Sequence, residues 1–241
     1  MIRRIFTTVL VAAAASAPAA AAPIRGQTLM PGIVYARQVD FTAHGPVVLN
    51  IVSAPRPTGL YSVHAALSNG LIPGREPLTT MEQDVSASTT VVGINGDFYN
   101  TRWGTPSGVL LRGGLLQKGT AGSRSASGFD AAGSLHIDRV RLSGFWQGTG
   151  MYRPMGLNDP PGKLGTTLYT SAWGSETPVE TGAVTEIVLA PFPAALPNRI
   201  LSAPVVQTAS AGKQAIPPGG AVIVARAKID QSYEPRMITA K

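Results

Sequence analysis

The sequence is cut into short pieces by glycine and proline, 27 and 20 of them, and between the cuts stand brief runs of apolar and β-branched residues. Proline breaks helices and central strands, and both residues supply the turns that join strands. Only 14% of the residues are charged. The chain therefore reads as turn-rich and strand-rich: α+β, mostly β, a twisted sheet carrying one or two helices plus an inserted β-rich lobe. There is no cysteine, so no disulfide can staple the fold and its stability rests on packing. Thiolate-built zinc and iron–sulfur sites are excluded by the same count.

At the N-terminus, Arg3 and Arg4 precede an apolar stretch, residues 5–15, and a small-residue stretch, 16–22, with Ala-x-Ala steps. That order is the pattern of a secretory signal. The apolar run is too short for a spanning helix, which needs roughly 20 residues. No later stretch is long and apolar enough to span, so the expected location is secreted or extracytoplasmic, with no stable membrane span once the signal is removed. The formal net charge is +7, from 20 basic and 13 acidic residues. A basic surface suits anionic partners such as phosphorylated glycans or lipid headgroups. No Lys/Arg run is interleaved with aromatics, so nucleic acid is not an expected partner.

Along the chain, residues 23–30 read as a disordered lead-in. Residues 33–41, 47–52 and 61–67 read as strands, with Gly- and Pro-containing gaps between them. Residues 77–87 are the helix candidate, with Thr79 or Thr80 as its cap. Residues 108–112 and 115–118 flank Gly113-Gly114, which predicts a tight hairpin. Residues 126–129 and 135–140 predict a second hairpin around Gly133. In the latter, His136 and Asp138 alternate with Leu135, Ile137 and Val140, the pattern of a half-buried strand. From about residue 143 prolines and small residues rise. Strands are expected at 166–170, 184–189, 205–207 and 221–225, with a soft boundary near 144–152. The expected organisation is a signal at 1–22, a first part at 23–148 and a β-rich second lobe at 149–241.

The segment Val91-Val92-Gly93-Ile94-Asn95-Gly96-Asp97-Phe98-Tyr99-Asn100, followed by Thr105-Pro106-Ser107-Gly108, concentrates the chemistry. Residues 91–94 read as a buried strand that delivers a polar turn to its own end. Asp97, beside Asn95 and Asn100, is suited to general acid, general base or divalent-ion chemistry, or to shaping an Asx-turn. Asn95 either orients a ligand through its amide or occupies a left-handed turn. Of Phe98 and Tyr99, one is expected in the core. Tyr99 has the better claim to a site, because its hydroxyl can meet a polar ligand. Ser107 is placed to bond a ligand or the backbone. It is no nucleophile elbow, since Gly-x-Ser-x-Gly is absent. His44, His64 and His136 lack zinc-protease spacing, and His64 and His136 read as packing residues. Trp103, Trp146 and Trp173 are expected in the core rather than in a glycan cleft.

Ile94-Asn95-Gly96-Asp97-Phe98-Tyr99, then Pro106-Ser107-Gly108-Val109-Leu110-Leu111 and Gly113-Gly114, resembles the phosphodiester glycosidase family, over about residues 31–226. The resemblance implies a hydrolase that cleaves a sugar-1-phosphodiester, with a sugar-phosphate or anionic glycan as substrate. Asp97 would handle protons or hold a divalent cation; no other cofactor is implied. Asn95 and Tyr99 would bind sugar, with Ser107 beside them. Arg124 would hold phosphate through its guanidinium fork, and Ser125 would add a donor. Residues 157–174 resemble an insert seen in bacterial members. The sequence departs from the family in lacking a later Asp-Gly-Gly-Gly-Ser-like turn. The reading is therefore the N-terminal part of such a domain plus the insert. Sheet edges left open by a missing part are expected to need a partner or an oligomer to cover them. The competing class is a non-catalytic module that binds anionic envelope glycans.

Overall fold

The computed structural model describes residues 25–87, 92–96, 98–120, 122–148, 150–160, 165–179, 184–210, 212–226 and 237–240. The chain forms two units, Met1–Tyr61 and Ser62–Lys241.

The first unit is an antiparallel meander of β1 (Arg25–Met30), β2 (Ile33–Thr42) and β3 (Gly45–Ser53). Gly32, at φ +78°, turns the chain between β1 and β2. The two later strands fall where strands were expected at 33–41 and 47–52. β1 corrects the expected lead-in. From residue 25 the chain pairs with β2, Arg25 opposite Arg37 and Gly26 opposite Ala36, because the polar run gains a ladder of backbone bonds along an otherwise open edge. The Tyr35 hydroxyl donates to Asn50 Oδ1 at 2.8 Å across β2 and β3, and the Tyr61 hydroxyl donates to the Pro31 carbonyl. In this unit only Ile33 and Ala36 are buried among the described residues.

The second unit opens with irregular chain, not with the strand expected at 61–67. A single 3₁₀ turn, Ser68–Gly70, follows. Strand-like composition alone did not suffice there, since the run meets no strand to pair with among the described residues. Helix α1 (Leu78–Ser86) forms where predicted, but Pro77 occupies the cap, not Thr79 or Thr80. The Pro77 carbonyl accepts from the N–H groups of Thr80 and Met81 at 3.0 and 3.2 Å. Proline's fixed φ and missing donor suit a helix entrance.

β4 (Leu110–Arg112) and β5 (Leu115–Lys118) form the predicted hairpin. Gly113 and Gly114 take φ +56° and +77°, the paired left-handed conformation that matches strand twist. β6 (Arg124–Phe129) and β7 (Leu135–Val140) form the second. It is not half-buried: Leu135 and Ile137 are 55% and 71% exposed. Nothing described packs on that face, so the alternation has no core to point at.

The remaining strands are β8 (Gly144–Gln147), β9 (Arg153–Leu157), β10 (Thr166–Thr170), β11 (Thr185–Leu189), β12 (Leu201–Ala209), β13 (Ala221–Ala225) and β14 (Met237–Ala240). They close a barrel in the order β10-β13-β11-β12-β14-β8-β9. Every contact is antiparallel except the closing one, β9 with β10. β8, inside the soft boundary near 144–152, and β9, just after it, are neighbours in this barrel. Trp146, Leu157, Leu168, Ile187, Leu189, Ala203 and Ile223 converge from six strands and fill the lumen. Tyr169, Val188, Val222 and Val224 point the other way and are covered by Ile72, Trp173 and Ile216, with Trp103 and Leu110 at the margin. β10, β11 and β13 are thus buried on both faces, which explains why Ala221–Ala225 reads Ala-Val-Ile-Val-Ala without a polar alternate. Two of the three tryptophans went where expected: Trp146 and Trp173 are each 4% exposed, on opposite sides of the wall, while Trp103 is half-buried.

Candidate functional site

The loop of residues 98–107 is fixed to the outside of the barrel wall. Trp103 lies 6.0 Å from Trp173, and Trp173 meets Tyr169 of β10 edge-on at 4.8 Å. A second strap runs beside it. The Ile72 N–H donates to the Ala172 carbonyl at 2.8 Å, and the Gly74 N–H to the Trp103 carbonyl at 3.0 Å. Gly104 passes so close that a Cβ built there would sit 2.2 Å from the Gly74 carbonyl oxygen.

From this base the loop folds into a tight two-armed turn. Tyr99 and Pro106 form an antiparallel bridge. The Asn100 N–H donates to the Thr105 carbonyl at 2.8 Å, the Gly104 N–H to the Asn100 carbonyl at 2.7 Å, and the Ser107 N–H to the Phe98 carbonyl at 2.8 Å. Asn100 Oδ1 accepts from the N–H groups of Arg102 and Trp103 at 2.9 and 3.2 Å. That is an Asx-type turn, so the Asn100 amide shapes the loop. The Arg102 guanidinium lies over the Trp103 ring, 5.0 Å from its centre.

Tyr99 and Ser107 are brought onto adjacent arms of this turn. Ser107 is half-buried; Tyr99 is 50% exposed and Phe98 78%. Neither ring enters the core, which corrects the expectation that one would. The run leading in is also corrected. Residues 92–94 form no strand, and Val92 and Ile94 are 44% and 82% exposed. Their β-branched character fits a buried strand, but among the described residues no strand flanks them. Asn95 is exposed in the same irregular stretch, while Gly93 lies against Leu78 of α1, 3.0 Å from a built Cβ. Arg124 and Ser125 are exposed at the start of β6, opposite Val140 and Arg139. Asp97, and the acid, base or cation role attached to it, lie outside the described residues. Among the described residues no group of three or more His, Asp or Glu side chains is arranged to hold a metal ion.

The histidines expected to pack do not. His64 is exposed, and His136 Nε2 lies 2.9 Å from Asp130 Oδ2 on the surface of the β6–β7 hairpin. That bond, followed by the Ser134 and Ala132 N–H groups, holds the Asp130 carboxyl below the ordinary aspartate range.

Three buried polar residues were not foreseen. Lys118, 1% exposed, pairs with Asp159 at 3.1 Å and donates to the Gly119 carbonyl at 3.0 Å. Asn158, fully buried at φ +45°, donates to the Gln117 carbonyl and Thr170 Oγ1 at 2.6 and 2.9 Å and accepts from the Thr170 N–H at 2.9 Å. Glu186 is fully buried on the outer side of the wall, where Oε1 accepts from the Thr177 hydroxyl at 2.5 Å. Of these, only Glu186 carried a signal, a charge inside an apolar run. Near Lys118 and Asn158, the residues Gln117, Thr170, Ser171, Phe192 and Gly220 line a pocket of about 180 Å³.

No model of a protein family matches the sequence, and no curated protein matches it. Among solved structures, a hypothetical protein from Synechocystis is similar at a TM-score of 0.73 and 20% identity, over 92% of this chain and 41% of that one. A candidate exported protein from Burkholderia pseudomallei is similar at a TM-score of 0.61 and 18% identity, over 81% of this chain and 46% of that one. The likeness is one of fold. The chain spans less than half the length of either structure.

Proposed function

We propose that the protein is an exported, phosphodiester-glycosidase-like hydrolase acting on a sugar-1-phosphodiester of a glycan or cell-envelope component. The observation that carries the reading is the tethered loop. A rigid seat on the barrel wall presents Tyr99 and Ser107 on neighbouring arms, with Asn95 just before them, all on the polar segment whose sequence resembles that family. Tyr99 offers a sugar-stacking face and Asn95 an orienting amide. Arg124, at the head of β6, supplies a phosphate-binding fork, with the Ser125 hydroxyl beside it. Asp97 moves the proton that departure of the phosphate leaving group requires, or binds a divalent cation that takes up its charge. Export rests on the basic, apolar and small-residue order of residues 1–22 and on the exported character assigned to the Burkholderia protein. Among the described residues no helix is long and apolar enough to cross a membrane.

The test offers an α-N-acetylglucosamine-1-phosphodiester and measures released sugar. Turnover by the wild type and at least a hundredfold less by Asp97→Ala, about the low end of general acid–base contributions, is expected. No turnover, with the two proteins indistinguishable, refutes the hydrolase.

A second reading is favoured by Phe98, 78% exposed beside Tyr99 on a chain of net charge +7. Here the loop binds anionic envelope glycans without cleaving them. Retention on cell-wall material that falls steeply with salt, with no product formed, distinguishes it.

A further inference from the structure

The two edges of the β1–β2–β3 sheet differ in kind. β1 is six residues long, carries Arg25, and its register slips between Thr28 and Met30. Shortness, charge and irregularity are devices that keep an edge from recruiting other strands. β3 has none of them. It is nine residues long, carries no charged side chain, and pairs with β2 without interruption from Val34 opposite Ser53 to Thr42 opposite Gly45. Its other edge has no neighbour among the described residues. Both of its faces are open as well: Val47, Val48, Leu49, Ile51 and Val52 are each 37–47% exposed. A long, uncharged, apolar edge of this kind is a template for strand addition.

We propose that this edge is where a second copy of the chain docks, β3 against β3, antiparallel about a two-fold axis at Asn50, to make one six-stranded sheet. The register follows from the strand. Pro46 has no N–H, and a sheet tolerates proline where the missing donor faces away from the paired neighbour. Residues 46, 48, 50 and 52 therefore turn their backbone groups to the open edge. An axis normal to the sheet keeps each face continuous and pairs residues of like parity. With Asn50 on the axis, Val48 stands opposite the second copy's Val52 on one face, and Leu49 opposite its Ile51 on the other. Residues 48, 50 and 52 then supply roughly six backbone hydrogen bonds, two per bonded pair. Shifting the axis to Leu49 would, by symmetry, set Pro46 against Val52 twice, and each of those pairs would lack the proline's donor. With Asn50 on the axis every bonded pair is complete, and the strand meets itself as a closed two-fold contact requires.

The absence of native cysteine makes the test clean. Sedimentation equilibrium of the purified protein is expected to show a monomer–dimer equilibrium. V48K/V52K sets lysine against lysine across the axis and is expected to weaken the dimer about tenfold or more. V48K/V52E sets lysine against glutamate in the same register and restores it. Under mild oxidation Asn50→Cys forms an intermolecular disulfide, its Cα atoms lying about 5.5 Å from one another across the axis. Val47→Cys, which faces Ser53, does not. If V48K/V52K unfolds, the rescued variant and the cross-link decide alone. A protein that remains monomeric up to about millimolar concentration overturns the proposal and leaves the edge to a strand of a different polypeptide. A dimer indifferent to the paired substitutions, without the cross-link at 50, overturns it too and puts the contact elsewhere.

Discussion

Substituting alanine at Gly104 asks how firmly the loop bearing Tyr99 and Ser107 is seated. Gly104 holds φ +74°, a left-handed conformation that costs an L-residue about 1–2 kcal/mol. The new methyl group has nowhere to go. A Cβ there lies 2.2 Å from the Gly74 carbonyl oxygen, 2.6 Å from its carbon and 2.9 Å from its nitrogen. All three are backbone atoms, so the two segments must part. Parting them breaks the 3.0 Å bond from the Gly74 N–H to the Trp103 carbonyl, worth about 0.5–1.5 kcal/mol. Together the two effects come to about 1.5–3.5 kcal/mol, and at about 2–4 °C per kcal/mol for a chain of this size the Tm falls by about 3–14 °C. Gly113→Ala is the comparator. Its φ is also positive, at +56°, but nothing lies within 4 Å of a built Cβ, so only the conformational cost remains. Thermal unfolding followed by circular dichroism measures both. Equal losses, within about 0.5 kcal/mol, would refute the claim that the close approach to Gly74 fixes the loop.

Removing either partner of the Lys118–Asp159 pair is expected to cost unequal amounts. Asp159→Asn strands an ammonium group that is 1% exposed and should cost about 3–5 kcal/mol, whereas Lys118→Met leaves a carboxylate already 40% exposed, which water can solvate, and should cost about 1 kcal/mol. Urea unfolding of the two variants checks the order, and the reverse order contradicts the burial argument. At the β6–β7 hairpin the His136 bond lowers the Asp130 pKa. A carboxyl whose folded pKa is depressed contributes stability that is fully present above its unfolded pKa and is lost as pH falls through the folded one. The contribution should therefore fade only on acidification below the ordinary aspartate value of about 3.9. Carbonyl NMR titration should place the Asp130 midpoint higher in His136→Ala than in the wild type, and an unchanged midpoint would remove His136 as the cause.

Local chemistry was legible in the sequence where a few adjacent residues decide the outcome. Gly113-Gly114 fixed one hairpin, Gly133 another, and the run before Ala87 gave the helix, because turn and helix propensities act over a handful of residues. Of the seven barrel strands, β10, β11, β12 and β13 were legible as apolar runs and β8, β9 and β14 were not. Nor was the closure, since the β9–β10 contact joins neighbours in a parallel sense that no local pattern encodes. The misplaced strands share one cause. Residues 61–67 and 92–94 have the composition of strands, but a strand exists only with a neighbour, and neighbours are a property of the whole chain. The same limit hid the seat of the loop. Trp103 was legible as a core residue, but not that it would reach Trp173, 70 positions later, and through it the wall. Lys118 and Asn158 could not be found from sequence, because their partners lie 41 and 12 residues away.

A wall with no solvent-facing side leaves mutation little latitude. Along β10, β11 and β13 each side chain meets either the lumen or the layer outside it, so drift there is confined to swaps of similar volume. Change is pushed outward, into connections that touch neither layer. The Synechocystis protein shares this architecture at 20% identity. Divergence on that scale is what such a scaffold permits: the frame keeps its shape while the segments hung upon it are free to acquire different chemistry.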